Sequence, residues 1–325
     1  MTWFVRSVAS VSIAVTLAGA ADLAAQHIVV VNKSGNTLSV VDPRTRREVT
    51  VVPTGSSPHE VAVSPDGRIA YVTDYGSGPQ PGNTVTVIDI QAGQRVATIG
   101  LDEHTRPHGI AVADDGTVWV TTEGSRHVLR IDSRSGRILQ AVETGQRTTH
   151  MVVVASRGGR VYTANIGSGT VTAVDTERGT VQSQIATGAG AEGIDLSPNG
   201  DRVYVTNREA GTLTEIDVAT DRVTRTLEVG DFPIRVKVRP DGREALVSNA
   251  RGEEVVAVDL ESWKVVRRLA IGSFPVGILI TPDNRTAYVA NTGDDKISVI
   301  DLDSWTLDGQ IVAGDEPDGM AWTER

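Results

Sequence analysis

One stretch decides the fold: Gly193-Ile194-Asp195-Leu196-Ser197, Pro198-Asn199-Gly200-Asp201, Val203-Tyr204-Val205-Thr206-Asn207, Glu209-Ala210-Gly211, Leu213 to Asp217, and Val223 to Val229. Short runs rich in β-branched residues alternate with turn residues, and no run has the 3.6-residue period of a helix. Asn199-Gly200 suits a tight hairpin, because both residues accept positive φ. The stretch reads as four short strands joined by turns.

Outward from it, the third of these strands recurs. Leu38-Ser39-Val40-Val41-Asp42 and Val85-Thr86-Val87-Ile88-Asp89 have the same form, and further copies end at Asp132, Asp175, Asp217, Asp259 and Asp301. The spacings are 47, 43, 43, 42, 42 and 42 residues (89 − 42, 132 − 89 and onward). The long first interval contains Gly76-Ser77-Gly78-Pro79-Gln80-Pro81-Gly82, a surface-loop composition. Four strands in a repeat of this length make one blade of a β-propeller, so seven copies predict an all-β, seven-bladed propeller of four-stranded antiparallel blades. Closure is legible too. The chain ends on one unpartnered strand, Gly319-Met320-Ala321-Trp322, and Ile28-Val29-Val30-Val31-Asn32 near the start lacks an inner partner. Pairing them completes the last blade and protects both edges. Residues 26–325 are thus expected to form a single domain.

Composition agrees. Gly is 33 of 325 residues, aromatics are 4%, and charged residues are 22%, which suits thin strands and many turns. Cysteine is absent, which excludes disulfides, thiol catalysis, iron–sulfur clusters and Cys-type zinc sites. Lys plus Arg is 31 against 41 Asp plus Glu, a formal net charge of −10. That balance argues against a nucleic-acid partner, because phosphate binding needs a basic face.

Residues 1–25 read as an export signal. Arg6 gives a positive start, Val8–Ala18 is apolar or small, and Ala18-Gly19-Ala20 or Leu23-Ala24-Ala25 offers small-residue cleavage, after Ala20 or Ala25. The apolar run is too short to span a bilayer comfortably, so the mature chain is expected without a membrane span, in the periplasm or secreted.

The second strand of the repeat is Tyr71-Val72-Thr73-Asp74, Tyr204-Val205-Thr206-Asn207 and Tyr288-Val289-Ala290-Asn291, with Ser64-Pro65-Asp66-Gly67 before the first of them. These motifs resemble the YVTN family of β-propeller repeats over nearly the whole mature chain. Trp119-Val120-Thr121-Thr122 and Leu246-Val247-Ser248-Asn249 depart from the pattern. The resemblance implies the fold, and it implies surface or periplasmic binding proteins, with lactonases and lyases among related propellers. It does not choose among them.

Candidate sites lie where equivalent positions of the repeat differ, since positions that only hold the blade together should look alike. At the start of each inner strand, beside Pro58, Pro107, Pro233, Pro275 and Pro317, stand in chain order His59, His108, His150, Glu192, Ile234, Val276 and Asp318. Three of the six histidines share this register. Once the ring closes, five adjacent blades present Asp-His-His-His-Glu at one channel mouth. His59, His108, His150 and Glu192 are the ligand set for a divalent transition metal. They are also a set for acid–base work near neutral pH. The same side chains would serve equally as solvated channel lining. Loops at this mouth place Lys33, Tyr75, Glu123, Ile166, Arg208, Ala250 and Thr292; of these Tyr75, Glu123 and Arg208, with Asp318, are candidate ligand-binding residues. Arg106 and Arg235 are candidates to hold a carboxylate. The seven recurring aspartates are read as turn caps.

Two functions follow as expectations. One is an exported binding protein holding a small ligand, a metal ion or a protein partner at the mouth. The other is a metal-assisted lyase or lactonase-type hydrolase using the same arc.

Overall fold

A computed structural model describes residues 26–155 and 159–324. The segment read as an export signal lies outside the described residues. The strands form seven four-stranded antiparallel sheets. Blade 1 runs from Pro58–Val63 at the axis through Ile69–Gly76 and Pro81–Asp89 to Gln94–Gly100 at the rim. Blades 2 to 6 have inner strands Pro107–Val112, Thr149–Ala155, Ala191–Leu196, Pro233–Val238 and Pro275–Ile280. Blade 7 is built from both ends of the chain: Pro317–Glu324 is its inner strand, and Gln26–Asn32, Thr37–Asp42 and Arg47–Pro53 are the other three. Ile28 pairs with Trp322, Val29 with Ala321 and Val30 with Met320. The expected closure is present. The only helix among the described residues is one turn, Ile166–Ser168, and none is long and apolar enough to cross a membrane.

Three positions of the repeat motif have a physical reason in the packing and hydrogen bonds. Its aromatic packs between blades: Tyr162 joins Val171 and Ile185 of its own blade to Ile194, Val203 and Ile216 of the next, all buried. Each fully buried aliphatic side chain of this kind contributes about 1.5–3 kcal/mol. The fourth-position Asn ties the second strand to the third, Asn207 Nδ2 donating to Thr212 Oγ1 (3.0 Å) and Thr214 Oγ1 (2.9 Å). The recurring aspartates cap turns: Asp217 accepts from the Thr220 N–H at 2.9 Å, Asp259 from Ser262 at 2.7 Å and Asp301 from Ser304 at 2.7 Å.

The third position bears on the site. Thr73 Oγ1 accepts from the Glu60 N–H (3.1 Å) and donates to the His108 carbonyl of the next blade (2.8 Å). Thr121 accepts from Gly109 N–H and donates to the His150 carbonyl. Thr206 and Ser248 repeat this toward the carbonyls of Ile234 and Val276. One hydroxyl therefore fixes the backbone of the next blade at the residue that faces the mouth.

Candidate functional site

The inner strand of every blade carries a bulge at its first residues. Pro58 faces Asp74 and Val61 faces Val72, so His59 and Glu60 together oppose Thr73 alone. The same shift occurs in the other six blades. A bulge breaks the strict alternation of a strand and re-aims side chains. Just upstream, Ser57, Arg106, Thr148, Gly190, Phe232, Phe274 and Glu316 all have φ between 49° and 76°. Their carbonyls accept from the N–H groups of Tyr75, Glu123, Ile166, Arg208, Ala250, Thr292 and Lys33 respectively, at 2.9–3.2 Å. This turn locks the inner-strand register beside the loop register in each blade.

The mouth that results has two halves. Ile234, Val276 and Ala250 form an apolar cluster with Phe232 packed against it. Facing it, the five polar positions converge. The His59 and His108 rings are 4.8 Å apart, centroid to centroid, and those of His108 and His150 are 3.6 Å apart. Tyr75 lies 4.5 Å from the His59 ring. His108, His150, Glu192 and Asp318 are each at most 6% exposed, so this part of the mouth is not simply bathed in solvent.

Each charge has a partner. His150 Nδ1–H donates to Glu123 Oε1 at 2.5 Å, and Tyr75 OH donates to Glu123 Oε2 at 2.6 Å. His150 Nε2 lies 3.5 Å from Glu192 Oε1. Burial opposes charge on His150, but bonds to Glu123 and Glu192 overcome it and raise its pKa to about 9. Burial acts against charge on Glu123 and Glu192 as well, and bonds to the same imidazolium hold both below the usual carboxylate range. Burial, with the nearby His150 and His59, keeps His108 well below the ordinary imidazole value. Burial lowers His59 too; its Nδ1–H donates to the Ser57 carbonyl at 2.9 Å, which leaves Nε2 as the acceptor. Burial and Glu123 push Tyr75 up to about 12.

Arg208 donates to Glu192 Oε2 at 2.8 Å, and Lys33 Nζ stands 3.5 Å from Asp318 Oδ2. Arg106 holds no carboxylate: it donates to the carbonyls of Ser77 (3.3 Å) and Gly78 (3.0 Å) in the insertion, with its guanidinium 5.2 Å from the Tyr75 ring centre. Arg235 reaches Glu60 and lies 3.7 Å from Glu192 Oε1 and 3.9 Å from Asp318 Oδ1.

Sequence reasoning missed Glu60. The signal was available in the second bulge position: Glu60, Gly109, Met151, Gly193, Arg235, Gly277 and Gly319. Glycine there permits close approach of the next blade. A Cβ on Gly193 would sit 2.4 Å from the Ile234 carbonyl oxygen, and one on Gly277 would sit 2.1 Å from that of Asp318. Glu60 and Arg235 are the charged exceptions, of opposite sign.

The sequence profile of the YNCE-like beta-propeller family matches residues 2–189 and 110–243. The chain belongs to this family. No curated protein matches it. Among solved structures, Kuenenia stuttgartiensis hydrazine synthase superposes with a TM-score of 0.76 at 22% identity, covering 86% of this chain and 96% of that one. The Pseudomonas aeruginosa periplasmic gluconolactonase PpgL gives 0.73 at 18% identity, covering 92% and 99%. Dihydro-heme d1 dehydrogenase NirN, in complex with DHE, gives 0.63 at 16%, covering 91% and 74%. At such identities these likenesses establish the fold, while site chemistry has to be argued from the residues.

Proposed function

We propose that this YNCE-like propeller is an exported binding protein of the YVTN type, whose small-molecule ligand seats at the channel mouth. The observation that carries the reading is the two-sided mouth: imidazoles and carboxylates on five consecutive blades, all buried except the half-buried His59, face Ile234, Val276, Ala250 and Phe232 on the other two. Burying charge is costly even when paired, and blade closure does not require it, since Ile234 and Val276 fill the same register with apolar groups. A concave site with apolar walls and a few convergent polar groups is the usual form of a small-molecule site. Export rests on the pattern of residues 1–25. Two of the similar solved propellers are a periplasmic gluconolactonase and a dihydro-heme d1 dehydrogenase in complex with DHE, so small-molecule chemistry is found on this architecture.

The test is a thermal-shift and calorimetric screen of the purified chain against small carboxylates, sugars and sugar lactones. A ligand with a Kd below about 100 μM raises Tm by mass action, and this rise is lost in Glu192→Gln. If no ligand in these classes shifts the transition, or if Glu192→Gln binds unchanged, the reading fails.

One observation favours a second reading, the metal-assisted lyase or lactonase-type hydrolase. His59 is half-buried, and its Nε2 is left as an acceptor beside the adjoining imidazoles, as a general base requires. Its measure is lactone opening above the spontaneous rate, abolished in His59→Ala.

A further inference from the structure

We propose that His108, Glu123 and His150 hold one divalent transition-metal ion. The proposal rests on the channel mouth being the functional site and names one ligand within it. One donor atom from each of the three residues lies within 4.8 Å of the other two. They come from separate elements: His108 and His150 start the inner strands of blades 2 and 3, and Glu123 follows Val118–Thr122, the second strand of blade 2.

The independent observation is an orphaned nitrogen. His108 Nδ1 is buried and has no hydrogen-bond partner among the described residues, whereas His150 gives Nδ1 to Glu123 and faces Glu192 Oε1 at 3.5 Å with Nε2. The two ring centroids are 3.6 Å apart with the planes tilted by 35°. Buried polar atoms nearly always find partners, and the unpaired His108 nitrogen, beside a second imidazole and within reach of a carboxylate, asks for one. Imidazole nitrogen and carboxylate oxygen together suit zinc, copper, nickel or iron, whereas calcium and magnesium prefer all-oxygen sets.

Glu123 is already oriented for the role. Tyr75 OH holds its Oε2 at 2.6 Å, and its Oε1 points at His150. A hydrogen bond to the second oxygen of a ligating carboxylate is the usual outer support of a metal site. Metal bonds of about 2.0–2.2 Å place neighbouring donors about 3.3 Å apart, so side-chain shifts of about 1 Å complete the site once the proton between His150 and Glu123 is released to solvent and the ion takes its place. Three protein ligands leave a position open toward the mouth for water or an organic ligand. The set differs from the four residues of the inner register. Glu192 is held by Arg208 at 2.8 Å and His59 by the Ser57 carbonyl at 2.9 Å, while Glu123 enters from the loop.

The experiment starts from the purified full-length chain, stripped with chelator and titrated calorimetrically with Zn(II) and Co(II). Cu(II) is then added for electron paramagnetic resonance. One equivalent is expected, with hyperfine splitting from two imidazole nitrogens. His108→Ala and Glu123→Gln should each weaken uptake at least tenfold while circular dichroism stays that of the folded chain. The spectrum of the unaltered chain tests the ligand set even if a variant fails to fold. His104 and His127, whose rings lie 4.6 Å apart elsewhere in blade 2, supply the control: the His104→Ala/His127→Ala variant should bind as the parent does. The proposal is overturned by absence of saturable uptake of all three ions, by undiminished uptake in folded His108→Ala, or by loss of uptake in the control. Absence of uptake beside a positive organic-ligand screen removes the metal alone; failure of both removes the reading of the mouth as well.

Discussion

Arg235 and Glu60 are 175 residues apart in sequence, yet guanidinium and carboxylate meet across the propeller axis. Both occupy the second bulge position of an inner strand, on blades 5 and 1. Burial opposes the charge of each. It pushes Glu60 up despite the opposing Arg235, while for Arg235 the attraction of Glu60, Asp318 and Glu192 prevails and holds it firmly protonated. Glu192 belongs to blade 4 and Asp318 to blade 7, so one guanidinium links four blades beneath the mouth.

Breaking that pair from one side strands a buried charge. Arg235→Ala is expected to destabilise by about 3–5 kcal/mol, and the double variant Arg235→Met/Glu60→Leu to recover most of the loss. Urea unfolding of the parent and both variants measures it. A double variant no better than the single would show that the lost stability lies elsewhere than in the orphaned carboxylate.

The hydroxyl between blades makes a smaller, local prediction. Thr121→Val keeps the shape but leaves Gly109 N–H and the His150 carbonyl without their present partner. A loss of about 1–3 kcal/mol is expected, with slower-protected amides around Gly109 exchanging faster. Unchanged stability and exchange would mean that the strand ladder alone holds the register.

The pH dependence follows from His150. Its pKa is raised from 6.5 to about 9 in the folded chain. The corresponding stability is fully present below 6.5 and is lost as pH rises through about 9. His108 and His59 shift the other way, from 6.5 downward, so their neutral forms are favoured by folding and stability falls as pH drops below 6.5. A maximum between these limits is expected for the parent. In His150→Gln the decline between pH 7 and 9 should disappear; thermal melts across that range decide it.

Glycine in the bulge is required by space rather than by φ. Gly277→Ala puts a Cβ against the Asp318 carbonyl, 2.1 Å away, and overpacking of this kind costs about 1–3 kcal/mol. Gly78→Ala in the insertion meets nothing within 4 Å and should change stability by less than about 0.5 kcal/mol. Equal effects at both positions would refute the spatial argument.

The histidine arc was legible because a repeat makes register visible. His59, His108 and His150 fall at equivalent positions, so their common placement needed no distance. Glu60 was not legible on the same terms. Strict strand alternation would send it to the opposite face from His59, and only the bulge brings both to the channel side. The bond from Glu123 to His150 was hidden for another reason: it crosses from one blade to the next, whereas the repeat comparison aligns residues within a blade.

The sequence by itself determined the number of blades, their four strands, the closing blade and the histidine register. These are local properties, carried by β-branched runs, turn residues and a period of about 42 residues. Tertiary structure alone decided which side chains touch: His150 with Glu123, Glu192 with Arg208, and Arg235 with Glu60. Those pairs depend on the width of the ring and on seven bulges that turn successive side chains inward. Such distances exist only once the last strand has closed on the first.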